Sequence, residues 1–344
     1  MKICLNAKFY KAFGGDNKIR GGLIAAIEHQ KKILDLLQIP YTDNPNDDWD
    51  ILVVNVPWPA SMSLARKAKR EGKKVIVWAH VSAEDLFQSV RIFQLFTFLK
   101  PLVWKYLIHS FNQGDLIMCP SNYTKNVMLK FGLPEHKLIV QTNGIDTAEF
   151  HKDEARRQKY RTDLKINTLA VGMVGLVLPE RKGVDTFIAL GKTFPEHQFF
   201  WFGKIFSSAL VAPVSTDQPN VHFTGFVDDI LAAINSIDIF VFPSREENQG
   251  IAILEAAAVG LPILVRNLPA YEGWLVHEQN CLIAKSEEEF AIHLKRLFED
   301  AELRERLSKA ALVLAQEQSL ESQTQVMKKI YEGLVSTPAL EPAR

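Results

Sequence analysis

The chain has little cysteine, no excess of either charge and no uninterrupted apolar stretch of membrane-spanning length, and each lack removes a class of protein. The three cysteines among 344 residues, Cys4, Cys119 and Cys281, are odd in number, far apart and without histidine at ligand spacing. They read as reduced core thiols, not as a disulfide framework or a zinc site. Forty basic side chains cancel forty acidic ones. That balance excludes the broad positive field of a nucleic-acid binder, so no nucleic-acid partner is expected and any anion site has to be built locally. The aromatic stretch from Val90 to Phe111 is broken by charges and Pro101 well before the ~18 residues that a spanning helix needs. The opening KICLNAKFY is too short and too early interrupted for an export signal, so the expected location is the cytoplasm.

What is present is ample apolar content, 47%, enough for two cores. Short apolar runs at Ile3–Leu5, Ile51–Val54, Val75–Trp78, Leu116–Cys119 and Leu138–Val140 alternate with amphipathic segments. This is the pattern of parallel strands covered by helices. A turn at Asn143-Gly144-Ile145-Asp146 interrupts the series. A second series follows, at Leu169–Val174, Phe199–Phe202, Val221–Phe223, Ile239–Phe242 and Ile263–Val265. The predicted fold is α/β, with two Rossmann-like doubly wound domains facing across a cleft at residues 1–146 and 147–318. A helix over 319–335, capped by Ser319, packs on one of them, and 336–344 reads as a loose tail.

The most informative stretch is EENQGIAILEAAAVGLPILV, directly after the apolar run IFVFP. Strand, turn and helix start follow one another, which places Glu247 in the turn at the cleft end of a strand and Glu255 about two turns into the helix. Gly250 lets backbone N–H groups at the helix start approach a ligand closely. A carboxylate pair so placed can grip the hydroxyls of a nucleotide-sugar; alternatively, the acids simply offset the helix dipole. Arg181 and Lys182 precede a helix opened by Gly183, a placement suited to a diphosphate. His80 ends a first-half strand on the cleft side.

In order along the chain stand Gly21-Gly22 before a helix, WAH ending at His80, CPSNYTKN from Cys119, NGID from Asn143, PERKG around Lys182, TGFVDDILAAINSIDIFVFPS from Thr224, and the Glu247/Glu255 pair. As an ordered set covering nearly the whole chain, these resemble the GT-B glycosyltransferases of family 4. Within that family, AIEHQKKIL, GKKVIVWAHVSAEDL, FFWFGK and FPSREENQGIAILEA are most similar to glycosyldiacylglycerol synthases.

The resemblance implies a retaining hexosyltransferase that moves glucose or galactose from a UDP-sugar to a (monoglycosyl)diacylglycerol. The catalytic group would be His80, Glu247, Lys182 and Arg181. Glu255 would hold the ribose and Glu247 a donor-sugar hydroxyl. Backbone N–H groups around Asn248, Gln249, Gly250 and Ile251 would meet sugar or phosphate, and Gly21 and Gly22 would let a first-domain loop approach the donor. The family has an arginine directly after the strand-end glycine, whereas here Gly175 is followed by Leu176, leaving one diphosphate contact to be supplied from elsewhere. A different acceptor, an epimerase on the same scaffold, or a non-catalytic binding protein remain the competing readings.

Asp48-Trp49-Asp50 has the form of an acid-x-acid metal site. It precedes a strand at the sheet end away from the cleft, so no metal and no cofactor are expected. The segment from Val90 to Phe111 is unusually aromatic and carries Arg91, Lys100, Lys105 and His109. One reading is an amphipathic surface helix pair, with Phe93, Phe96, Phe98 and Trp104 dipping into a leaflet and basic groups meeting an anionic membrane surface. The other is a core helix with snorkelling lysines. The first implies peripheral attachment to the inner face of a membrane.

Overall fold

The computed structural model describes residues 1–6, 21–84, 87, 96–205, 214 and 217–336. The expectations for Arg91, Phe93 and the tail beyond 336 lie outside the described residues. The first half runs β1 (Ile3–Asn6), α1 (Gly22–Leu36), β2 (Tyr41–Thr42), β3 (Ile51–Val54), α2 (Pro59–Arg70), β4 (Lys74–Trp78), α3 (Lys100–Phe111), β5 (Leu116–Cys119), α4 (Asn122–Lys130) and β6 (Leu138–Val140). The second runs α5 (Glu154–Asp163), β7 (Ala170–Val174), α6 (Pro179–Lys182), α7 (Val184–Thr193), β8 (Gln198–Phe202), β9 (Val221–Gly225), α8 (Ile230–Ser236), β10 (Ile239–Phe242), α9 (Ile251–Val259), β11 (Ile263–Arg266) and β12 (Leu282–Ala284). Three helices close the chain: α10 (Glu287–Glu299), α11 (Ala301–Glu317) and α12 (Leu320–Ser336).

Each half is one parallel sheet, in order β2-β1-β3-β4-β5-β6 and β12-β11-β10-β7-β8-β9. The first order reverses at β1/β3 and the second at β7/β10. In doubly wound folds, ligands sit outside the carboxyl ends of the strands at such reversals. The strands that flank them are buried on both faces, which is why they read as unbroken apolar runs. All four side chains of β3 and all four of β10 are buried. The edge strands β2 and β12 were not anticipated. With two and three residues, they are too short to show a periodicity.

The last helix returns to the first half. Leu320, Met327, Tyr331 and Leu334 share a core with Ile3, Leu5, Ile33 and Leu34. The crossing is stitched by backbone bonds from Ile145 N to Gln318 O at 3.0 Å and from Leu320 N to Ile145 O at 2.9 Å. Ser319 Oγ accepts from Ser322 N at 3.2 Å and so opens α12.

The aromatic segment divides between the two readings made of it. Trp104 is only 5% exposed, stacks on Phe131 at 4.4 Å and donates Nε1–H to Glu84 at 3.3 Å. It is therefore a core residue, and the expectation that it dips into a leaflet is corrected. The apolar positions exceed one helical stripe, so α3 buries Trp104, Leu107 and Phe111 and leaves others outside. Phe98 is 71% and Leu102 64% exposed, with Phe96 and Tyr106 beside them in sequence and also exposed. Lys105 is exposed, and Lys100 pairs with Glu84 at 2.8 Å.

Candidate active site

The loop after β10 and the start of α9 carry the acidic pair. Gly250 caps α9 with φ 92°, a left-handed value that favours glycine, and no side chain caps the helix. Because the helix begins only at Ile251, Glu255 is its fifth residue. It therefore lies little more than one turn in, not two. Gly183, at φ +69°, is the second glycine that the site needs. A Cβ there would lie 2.3 Å from Pro243 O, so the α6/α7 junction presses directly on the end of β10.

That contact brings the cations to the acid. Lys182 Nζ donates to Glu247 Oε1, and Arg181 Nη2 stands 3.8 Å from Glu247 Oε2. Arg245 N donates to Arg181 O at 2.7 Å, locking the two segments together. Burial works against the charged form of Glu247. The Lys182 ammonium and Arg181 guanidinium outweigh it and hold the carboxyl below its usual range.

These groups line a cavity of about 330 Å³ between the two sheets. Gly21, Gly22 and His80 line it from the first half; Arg181, Lys182, Glu247, Asn248, Gln249, Gly250, Ile251 and Glu255 line it from the second. Lys204, directly after the strand-end Gly203, adds a third cation that sequence reading did not single out, although FFWFGK contains it. Helix α1 also opens on the cavity without a side-chain cap and without an acid in its first turn. Two helix starts without a side-chain cap among the described residues thus meet in one space, which favours a bound anion. Gly21 has extended backbone at φ −142°, and a Cβ there would meet none of the described residues within 4 Å.

Asn248 and Gln249 do more than their backbone positions implied. Asn248 Nδ2 donates to His80 O across the cleft at 2.9 Å. Gln249 Oε1 accepts from Asn143 N at 3.0 Å and from Asn143 Nδ2 at 2.7 Å, and its Nε2 donates to Thr142 Oγ1. The loop after β10 is therefore tied to the turn at Thr142 and Asn143, a link between residues 106 apart that no local pattern announces. His80, after β4, is stacked on Trp78 with centroids 5.0 Å apart. Burial lowers its pKa to about 3, so the ring is neutral at physiological pH.

The acid-x-acid triplet stands elsewhere. Asp50 accepts from Lys2 N at 2.7 Å and Asp48 lies 3.9 Å from Lys73; both precede β3 and so lie at the opposite end of the sheet.

Two facing doubly wound sheets, with both reversal points opening on one cleft, are the architecture of GT-B glycosyltransferases. The family model for Glycosyltransferase Family 4 matches residues 20–149, and that for Glycosyl transferases group 1 matches residues 168–300. The chain belongs to this glycosyltransferase family. It is 28% identical over 326 residues to the processive diacylglycerol alpha-glucosyltransferase of Acholeplasma laidlawii, covering 92% of this chain and 95% of that one. It is 25% identical to the alpha-galactosylglucosyldiacylglycerol synthase of Streptococcus pneumoniae, covering 80% and 75%. Among solved structures, Anabaena HepE in complex with UDP-glucose superimposes with TM-score 0.75 at 16% identity, over 97% of this chain and all of that one. The lipopolysaccharide glycosyltransferase WaaG superimposes with TM-score 0.69 at 16% identity, over 96% and 99%.

Proposed function

We propose that the protein moves glucose or galactose from a UDP-sugar to diacylglycerol or a monoglycosyl diacylglycerol at a membrane surface, with retention at the anomeric carbon. The observation that carries this is the Arg181–Lys182–Glu247 cluster, facing Glu255 and two uncapped helix starts in a single cavity. The names of the two curated relatives support the lipid acceptor, and the UDP-glucose of the HepE complex supports the donor.

In this reading Glu255 takes the ribose hydroxyls. Arg181, Lys182 and the helix N–H groups take the diphosphate, and Lys204 contributes the positive charge that Leu176 does not. Donor binding recruits Lys182 to phosphate, so its bond to Glu247 is loosened or shared, and Glu247 becomes available to a sugar hydroxyl. His80 reaches the sugar from the first half. As the glycosidic C–O bond breaks, negative charge grows on the departing phosphate, where preorganised cations stabilise it best. Glu247 lies near the positive charge that develops on the sugar. The acceptor hydroxyl attacks from the face the phosphate leaves, its proton passing to a phosphate oxygen, and no covalent sugar–enzyme bond is formed. In this reading the exposed Phe96, Phe98, Leu102 and Lys105 meet an anionic leaflet.

Incubation with UDP-[¹⁴C]glucose or UDP-[¹⁴C]galactose and vesicles containing diacylglycerol tests the proposal. Label in a chloroform-extractable glycolipid is expected. Label released only as free sugar would replace transfer with hydrolysis, and interconversion of the two donors would replace it with epimerisation.

A further inference from the structure

Behind the cleft wall, where β3 ends and α1 crosses it, two buried amides face each other. Asn55 is 0% and Gln30 4% exposed. Gln30 Nε2 donates to Asn55 Oδ1 at 2.7 Å, and Asn55 Nδ2 donates back to Gln30 Oε1 at 2.9 Å. Each amide satisfies the other, which is what keeps such groups from being costly in the interior. One lone pair of Asn55 Oδ1 remains, and His80 Nε2 lies 3.1 Å from that oxygen.

We infer that Gln30 and Asn55 are positioning residues: Asn55 Oδ1 accepts from His80 Nε2–H and so leaves His80 Nδ1 as the unprotonated nitrogen, an acceptor for a hydroxyl of the bound sugar. The inference rests on the proposed role of His80 at the donor. Three constraints converge on the ring. Trp78 lies within 8° of parallel to it and sets its plane. The Asn55 oxygen takes one nitrogen. Among the described residues nothing in the protein takes the other. A neutral imidazole carries one proton, so fixing it on Nε2 determines what Nδ1 can do. Asn55 cannot turn its amide over alone, because that would set its N–H₂ against the N–H₂ of Gln30 and lose both reciprocal bonds.

The sequence hides this arrangement. Gln30 falls in a helix rich in polar residues and Asn55 in a turn, where each looks solvated. Only the strand order, with β1 between β2 and β3, stacks α1 over the end of β3 and aligns the pair with the end of β4.

The test uses the full chain labelled with ¹⁵N-histidine, with H80Q identifying the His80 signals. At neutral pH the wild-type protein is expected to show the Nε2–H tautomer; an Nδ1–H tautomer would overturn the inference. The double variant Gln30→Leu/Asn55→Leu removes both amides together, so neither amide is left facing an unpaired one and the only group deprived of a partner is the His80 ring nitrogen that the experiment reads. It is expected to retain its fold and its affinity for UDP, to show mixed His80 tautomers, and to transfer glucose from UDP-glucose roughly tenfold more slowly, about the worth of one well-made hydrogen bond. The single variant Asn55→Asp keeps the acceptor oxygen and should keep the Nε2–H tautomer should the double variant fail to fold. Wild-type turnover in a folded double variant, with H80Q impaired, would sink the positioning role. Wild-type turnover in H80Q would instead remove His80 from the sugar site, while the tautomer measurement still decides what Asn55 does.

Discussion

Lys182 and Glu247, on segments joined by the contact of Gly183 with Pro243, form a hydrogen-bonded ion pair at the centre of the cleft. The pair keeps a buried carboxylate charged without any ligand, and it holds the ammonium beside the helix starts where a diphosphate would lie. In the proposed reading the cations are therefore already gathered in the cleft before the donor arrives, the condition under which electrostatic stabilisation of a leaving group costs least at the moment of reaction.

Replacing Lys182 with alanine is expected to lower kcat by roughly 10²–10³, the usual effect of losing one preorganised charge-stabilising group. The carboxyl of Glu247 should also rise in pKa as its main compensating charge is lost. Steady-state transfer from UDP-glucose, with circular dichroism to verify folding, measures the first effect. Unchanged turnover in a folded variant would remove Lys182 from the chemistry.

Glu255→Ala should act differently. A residue that holds only the ribose contributes equally to ground and transition states, so the donor KM should rise while kcat stays near its original value. An effect confined to acceptor KM would contradict that role.

Gln249→Ala severs the loop from Thr142 and Asn143 and strands the Asn143 amide that donated to it. Leaving buried donors without an acceptor costs about 1–3 kcal/mol. A lower unfolding midpoint in urea, together with a raised donor KM, is expected. A variant as stable as wild type would mean that the tie across the cleft carries no net energy.

Acid should weaken the fold through His80. Its pKa falls from 6.5 to about 3 on folding, so between those values the unfolded chain takes up a proton that the folded chain refuses. Stability is whole above pH 6.5 and falls as pH drops towards 3. Glu247, held low by its cations, adds a loss of the same sign, beginning near the ordinary carboxylate range of roughly 4. Urea midpoints measured from pH 7 to pH 5 should therefore decline for wild type and decline less for H80Q. Parallel curves would show that the histidine does not titrate as its burial implies.

The split of the aromatic segment gives a paired test. Phe98→Ser with Leu102→Ser should reduce sedimentation with anionic vesicles and leave the unfolding midpoint almost unchanged, since both side chains are largely solvent-exposed. Trp104→Ala should cost about 3–5 kcal/mol of stability, as emptying a large core site does. Vesicle binding that survives the first change would move the membrane contact elsewhere.

Much of the scaffold was legible because β3 and β10 are buried on both faces and announce themselves as apolar runs, whereas β2 and β12 are edge pieces with no run to read. Local spacing together with the family resemblance marks Lys182, Glu247 and Glu255 as candidates, and the fold brings all three to one cavity. Their mutual geometry was not legible, since Gly183 against Pro243 is a contact between residues distant in sequence. Asn143, Gln249, Gln30 and Asn55 were missed, or given only minor roles, for the same physical reason. A polar side chain in a turn or helix looks solvated until tertiary packing supplies its partner. Trp104 misled because an aromatic-rich helix offers more apolar positions than one face can bury, and only packing against Phe131 shows which of them turn inward.

A crystal structure with UDP bound tests the central claim most directly. The diphosphate should lie against Arg181, Lys182 and the start of α9, with the ribose on Glu255 between the two sheets. A nucleotide seated on either half away from Glu247 and Glu255 would contradict it.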